Sequence, residues 1–164
     1  MTTPPTQLGP RNRGRADRRV DTDRRIVVID ADHRVRDSFA GLIALAGGVD
    51  VVATTDQPAE ALRAVRRSRP DVVVLDPRLP DMEVGLALIE AIHRASPDVR
   101  VLVLGWLDDH EQMAMDAGAD GFICKSADPV TLVEAVLAVA LTTGTTAELA
   151  DPTGPRTRAR IARS

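Results

Sequence analysis

Between residues 26 and 141 the chain alternates short apolar runs with longer stretches that mix apolar and charged positions. The runs are Ile26–Ile29, Val51–Ala53, Val72–Leu75, Val101–Leu104 and Phe122–Cys124. A strand with one wet face would show a polar residue at every second position. These runs do not, so they predict central parallel strands covered by helices on both sides. The intervening stretches carry helix signals. Asp56 is placed to cap a helix with Pro58 in its first turn, and Asp128 to cap another with Pro129 at the first helical position. Gly47-Gly48 and Gly118 supply stops, because glycine adopts the left-handed backbone that ends helices. Five strands, each followed by a helix, predict an α/β fold: a doubly wound (βα)5 three-layer sandwich around a five-stranded parallel sheet.

Charge marks the limits of that unit. Residues 1–25 sum to +4 and residues 142–164 to +2, which leaves −9 for 26–141 within a chain total of −3. Both ends are rich in Pro, Gly, Thr and Arg and lack apolar periodicity. They are expected to be disordered tails around one domain at 26–141. Arg-rich tails can bind nucleic acid or anionic surfaces, but plain solvation is the simpler expectation. A single Cys excludes a disulfide framework or a zinc ribbon. No apolar run approaches the ~18 residues of a membrane span and no apolar leader opens the chain, so a cytoplasmic protein without membrane contact is expected. The aromatic residues, Phe39, Trp106 and Phe122, are too few for a base-stacking surface.

In an open α/β sheet, ligands bind beyond the carboxyl ends of the strands. The first run is followed by Asp30, Ala31 and Asp32, the third by Asp76, the fourth by Gly105 and Trp106, and the fifth by Lys125. Clustered carboxylates resist ionising together unless a cation neutralises them, and oxygen ligands suit Mg2+. A carboxylate can also attack phosphorus to form an acyl phosphate, whose oxygens then need nearby positive charge. Lys125 is the only Lys among 21 basic residues. A compact ammonium suits a single phosphoryl oxygen.

The segments Ile26-Val27-Val28-Ile29-Asp30, Pro70 through Asp76, Arg78-Leu79-Pro80 and Ala117 through Lys125 resemble the receiver domain of bacterial two-component response regulators. The resemblance covers 26–141 and implies the flavodoxin-like strand order 2-1-3-4-5. By position it implies that Asp76 is the phosphoacceptor and Lys125 the phosphate-binding lysine. It implies that Asp30, Asp76 and the backbone carbonyl of Arg78 hold Mg2+, and that Gly105 and Phe122 occupy the switch positions. A sensor histidine kinase or phosphotransfer protein is the implied partner, with no enzyme activity beyond self-phosphorylation and self-dephosphorylation. The segment after Leu141 is short and polar, so no DNA-binding domain is expected and output is expected through a downstream protein target. The sequence names neither partner and sets no oligomeric state.

Several positions depart from the family pattern. Ala31 stands where a second acid normally binds the metal, so Mg2+ affinity is expected to be weak. Asp32, one residue later, falls at the mouth of the first helix, where an acid serves the helix start. Gly105 stands where Thr or Ser is usual, and no Ser or Thr occurs between Ser96 and Ser126. One contact from phosphate to output face is thereby lost. Trp106 replaces a small residue, either screening the site or packing on the stem of Arg78 or the following helix. Asp81–Gly85 reads as a loop one residue longer than usual. Asp108–Gly118 reads as about two residues shorter, leaving the fourth helix short or reoriented. Two alternatives stay open: a pseudo-receiver that binds partners without phosphorylation, and a haloacid-dehalogenase-like phosphatase using Asp30. Arg34 and the lack of a later acidic pair oppose the second. Cys124 is expected to be a buried small hydrophobe, and His33, His93 and His110 lack metal-ligand spacing.

Overall fold

The computed structural model describes residues 23–106 and 109–141. Strands β1 (Arg24–Ile29), β2 (Val49–Thr55), β3 (Val72–Leu75), β4 (Arg100–Gly105) and β5 (Gly121–Cys124) alternate with helices. The helices are α1 (His33–Ala46), α2 (Pro58–Ser68), α3 (Met82–Ala95), α4 (Asp109–Asp116) and α5 (Pro129–Leu141). The strands form one parallel sheet in the order β2-β1-β3-β4-β5, as the resemblance implies. No helix among the described residues is long and apolar enough to cross a membrane.

Successive strand residues divide between two cores, which is why the apolar runs show no polar alternation. Val27, Ile29, Val73, Leu75, Val101 and Val103 pack with Ala61, Ala64 and Val65 of α2 and with Leu88, Ile89 and Ile92 of α3. Ile26, Val28, Val72, Val74, Leu102 and Leu104 pack on the other face with Phe39 and Ile43 of α1 and Ala135, Val136, Val139 and Ala140 of α5. Each fully buried aliphatic side chain is worth about 1.5–3 kcal/mol. An exposed helix pair such as Glu60–Arg63 adds only about 0.3–0.5 kcal/mol, so the two apolar layers set the fold.

The boundaries differ from expectation in places with identifiable causes. Arg24 and Arg25 belong to β1 rather than to a tail. The Asp71 carboxylate accepts from Arg24 Nη1 at 3.0 Å and from the Arg25 backbone N–H at 2.8 Å, stitching the strand to the start of β3. Residues 1–22 and 142–164 of the expected tails, and Asp108, lie outside the described residues. α2 is capped at Gln57, not Asp56, and without a side-chain bond; Asp56 instead faces Arg36 at 3.9 Å. Asp128 does cap α5, accepting from the N–H groups of Val130 and Thr131 at 3.0 and 3.1 Å. α1 ends at Gly47 with φ of 71°, and Gly118, with φ of 100°, follows the end of α4. Asp81–Gly85 is no loop: the Asp81 carboxylate caps α3, and Met82–Gly85 form its first turn. α4, at eight residues, is short as expected.

Gly85 lets that first turn of α3 lie on the chain leaving β3. A Cβ there would stand 1.8 Å from the carbonyl oxygen of Pro77, a backbone atom that cannot swing aside. Gly85→Ala is therefore expected to cost on the order of 3 kcal/mol or more. Gly41→Ala, inside α1 with nothing within 4 Å of the added methyl, is expected to stabilise by about 0.5–1 kcal/mol. Urea denaturation measures both, and a Gly85→Ala protein as stable as wild type would contradict the close approach.

Candidate functional site

The pairing of β1 with β3 places Ile29 opposite Leu75, so Asp30 and Asp76 leave the sheet side by side. Strand bonding continues one residue beyond each run: Asp30 N–H donates to Thr55 O at 3.1 Å and Asp76 N–H to Ile29 O at 2.9 Å. Both acids follow a residue of the α1/α5 face by two positions. Lys125 follows Ile123 of that same face by two, and its N–H donates to Gly105 O at 2.7 Å. The two-residue period of the strand thus aims all three side chains to one side.

There they meet. Lys125 Nζ donates to Asp76 Oδ2 at 2.7 Å and also to Asp30 Oδ2, and all three side chains are at most 5% exposed. The free oxygen of Asp30, Oδ1, accepts the Asp32 N–H at 2.9 Å, and Arg36 donates to the Asp30 carbonyl. Asp76 Oδ1 accepts the Arg78 N–H at 2.9 Å. The Arg78 guanidinium folds back over the same carboxylate, with Nε 3.4 Å from Oδ1 and Nη2 3.3 Å from Oδ2. Burial pushes the Asp76 carboxyl up. The hydrogen bond from Lys125, the backbone and side-chain bonds from Arg78 and the charge of Lys125 outweigh it, holding the group below its ordinary value. Asp76 is therefore an ionised carboxylate at neutral pH, the form a nucleophile needs.

A cavity of about 290 Å³ opens over these groups, lined also by Ala31, Asp32, Val35 and Trp106. The Trp106 ring, 48% exposed, stands with its centroid 5.8 Å from Lys125 Nζ, within cation–π range. It forms part of the site wall, beside Arg78. Asp32 takes the plain role considered for it, its exposed carboxylate accepting the Arg34 N–H at the start of α1. Ala31 offers no side-chain ligand. Among the described residues no three His, Cys, Asp or Glu side chains gather as a metal set. The two buried carboxylates already share an ammonium, and a guanidinium covers one of them. Such a donor set does not fit a dedicated Mg2+ site, which calls for near-octahedral oxygen coordination.

Gly105 and Phe122 also meet, away from the carboxylates. A Cβ on Gly105 would lie 2.6 Å from Cε2 and Cζ of Phe122, so the ring fills the space a side chain at 105 would take. Phe122 packs there against the α2/α3 core. Cys124 is half-buried rather than enclosed, because β5 is an edge strand; its Sγ lies 3.0 Å from Ser126 Oγ and 3.5 Å from Trp106 O. His33, His93 and His110 sit on three different helices. The resemblance gives Arg78 a role at the site through its carbonyl and none through its guanidinium. The guanidinium's return to Asp76 follows from the Asx-type turn between residues 76 and 78, a local signal that could have been read.

Residues 26–137 match the family model described as the response regulator receiver domain. The chain is 34% identical over 117 residues to the oxygen regulatory protein NreC of Staphylococcus epidermidis, covering 70% of this chain and 54% of that protein. It is 32% identical over 117 residues to the transcriptional regulatory protein LnrK of Bacillus subtilis, covering 70% and 53%. Among solved structures, a two-component response regulator of the LuxR family from Aurantimonas sp. SI85-9A1 matches with 32% identity and a TM-score of 0.68, over 73% of this chain and 86% of that one. The chain spans about half the length of the curated relatives it matches. These relatives overturn the expectation of a regulator without DNA-binding output: a transcriptional regulator and a LuxR-family regulator are among the proteins it matches. The length and polarity of the residues after Leu141 do not report output, because the receiver fold is complete without it.

The Gly105–Phe122 contact is testable apart from any chemistry. Gly105→Ala is expected to destabilise by about 1–3 kcal/mol through overpacking, and by much less in a Phe122→Ala background. Equal losses in both backgrounds, measured by urea denaturation, would contradict the contact.

Proposed function

Because the chain belongs to the response regulator receiver domain family of two-component systems, we propose that Asp76 is its phosphoacceptor, fed by the phosphohistidine of a sensor histidine kinase or phosphotransfer protein. The observation that carries this reading is the ionised Asp76 carboxylate held at 2.7 Å by Lys125 and lining an open cavity at the carboxyl end of the sheet. A carboxylate oxygen forms a bond to phosphorus, the P–N bond breaks, and its electron pair returns to the imidazole. Lys125 then faces the phosphoryl oxygens, a preorganised charge that costs no rearrangement at the moment of transfer. Asp30 orients Lys125 from the other side. Its own oxygens are taken by Lys125 and the Asp32 N–H, which supports a positioning role and tells against the phosphatase alternative.

Receiver domains generally bind Mg2+ at the phosphorylation site. Here that binding is proposed to be weak, since Ala31 supplies no ligand and both buried carboxylates already have cationic partners. Self-phosphorylation from small phosphodonors and self-dephosphorylation are the extent of the chemistry proposed. Following the names of its relatives, the receiver is proposed to serve transcriptional regulation in the cytoplasm. The pseudo-receiver reading keeps two specific supports: Ala31 supplies no metal ligand, and Gly105 leaves β4 with no hydroxyl to meet a phosphoryl group.

Intact-mass measurement after incubation with acetyl phosphate and Mg2+ tests the proposal on wild type and Asp76→Asn. One phosphoryl adduct in the wild type alone is expected. Its absence at high Mg2+ would favour the pseudo-receiver, and an adduct that survives in Asp76→Asn would move the site elsewhere.

A further inference from the structure

The balance of charge around Asp76 has a consequence for how a phosphoryl group is received. Asp30 and Asp76 bring two negative charges and Lys125 one positive, so the buried trio is formally −1, and the half-exposed Arg78 guanidinium is the charge that brings the rim to neutrality. The remaining acid, Asp32, is exposed and caps α1. A divalent ion approaching this rim meets a guanidinium already lying on the carboxylate it would bind. The Arg78 side chain is 46% exposed. Its fork spans both oxygens of Asp76, at 3.3 and 3.4 Å, on the carboxylate whose other cationic partner is Lys125. The two cations thus bracket one nucleophile, one buried and fixed, the other at the cavity mouth.

Building on the phosphoacceptor reading of Asp76, we propose that the Arg78 guanidinium is a catalytic residue of the transfer, supplying with Lys125 the positive charge that lets Asp76 accept a phosphoryl group without a divalent cation. With acetyl phosphate as donor, an Asp76 oxygen forms the O–P bond as the P–O bond to the acetyl group breaks. The electron pair leaves with acetate, and no proton changes hands. As the carboxylate loses its charge to the new acyl-phosphate bond, negative charge concentrates on the phosphoryl oxygens. The guanidinium follows it by a short swing, where its planar fork pairs two oxygens at once. This is the electrostatic work an arginine performs in other phosphoryl transfers. The surface position of Arg78 argues for a smaller effect than in a closed active site.

The test compares the rate of adduct formation from acetyl phosphate in EDTA and in Mg2+, by intact mass, for wild type, Arg78→Gln, Arg78→Lys and Asp76→Asn. Wild type is expected to change by less than about threefold between the two conditions, while Arg78→Gln loses roughly 10- to 100-fold in EDTA and recovers part of it in Mg2+. Arg78→Lys, which keeps the charge but not the fork, should fall between them. Quenching of Trp106, the only Trp in the chain, gives a readout independent of transfer. Removing the competing charge should tighten Mg2+ binding to Arg78→Gln by roughly 5- to 30-fold. Far-ultraviolet circular dichroism checks that the variants are folded. An adduct in wild type with Mg2+ but none in EDTA overturns this proposal and leaves the phosphoacceptor reading standing. So does an Arg78→Gln protein that matches wild type in EDTA. No wild-type adduct in either condition, or an adduct that persists in Asp76→Asn, overturns the phosphoacceptor reading and this proposal together.

Discussion

Two carboxylates from adjacent strands share one buried ammonium, and the geometry of the rim follows from that arrangement. Asp30 and Asp76 are neighbours because β1 and β3 pair in parallel with Ile29 opposite Leu75. Lys125 reaches them from β5, at the edge of the sheet. An unpaired carboxylate at this depth would cost several kcal/mol, and the lysine offsets that cost. A buried ion pair is nonetheless a poor way to gain stability, since well-packed apolar side chains of similar volume often do as well or better. The trio is best understood as stability given up to hold one ionised carboxylate beneath an open cavity.

What surrounds the trio divides by face. On the α1/α5 side, Trp106 and the start of α1 wall the cavity, and Arg78 folds over the outer edge of Asp76. On the opposite side, Gly105 yields its side-chain volume to the Phe122 ring, which joins the α2/α3 core. A hydroxyl at 105 and an inward Phe122 cannot share that space without movement of one of them. The ring's position is thus set by packing in this structure. Gly105 offers no side-chain hydroxyl between the carboxylates and Phe122.

The fold was legible because its signals are periodic and local. Five apolar runs marked five strands, and the residues just beyond them named Asp30, Asp76 and Lys125 as partners before any distance was known. Ends of elements were less legible wherever a tertiary contact decides them. Arg24 and Arg25 look like tail residues until Asp71 is brought opposite them, and Asp56 looks like a cap until Arg36 faces it. Asp81–Gly85 looks like a loop because Gly and Asp favour turns, yet the close approach to Pro77 is what makes glycine necessary there. The site's departures could be listed from the sequence as missing groups at 31 and 105. What fills the second gap, and that the Arg78 guanidinium folds back on Asp76, depends on packing and charge that only the folded chain displays.

The claim on which the account rests is that Lys125 keeps the buried Asp76 carboxyl ionised. Its most direct test is a carbon-13 NMR titration of that carboxyl in wild type and in Lys125→Gln. Because Asp76 is held below its ordinary value, its contribution to stability is complete above the unfolded-state value near 3.8 and is lost as pH falls through the folded-state value. The predicted result is a wild-type midpoint below 3.8 that rises in Lys125→Gln, where burial is opposed by Arg78 alone. A wild-type midpoint at or above 3.8, or one that Lys125→Gln leaves unmoved, would contradict it.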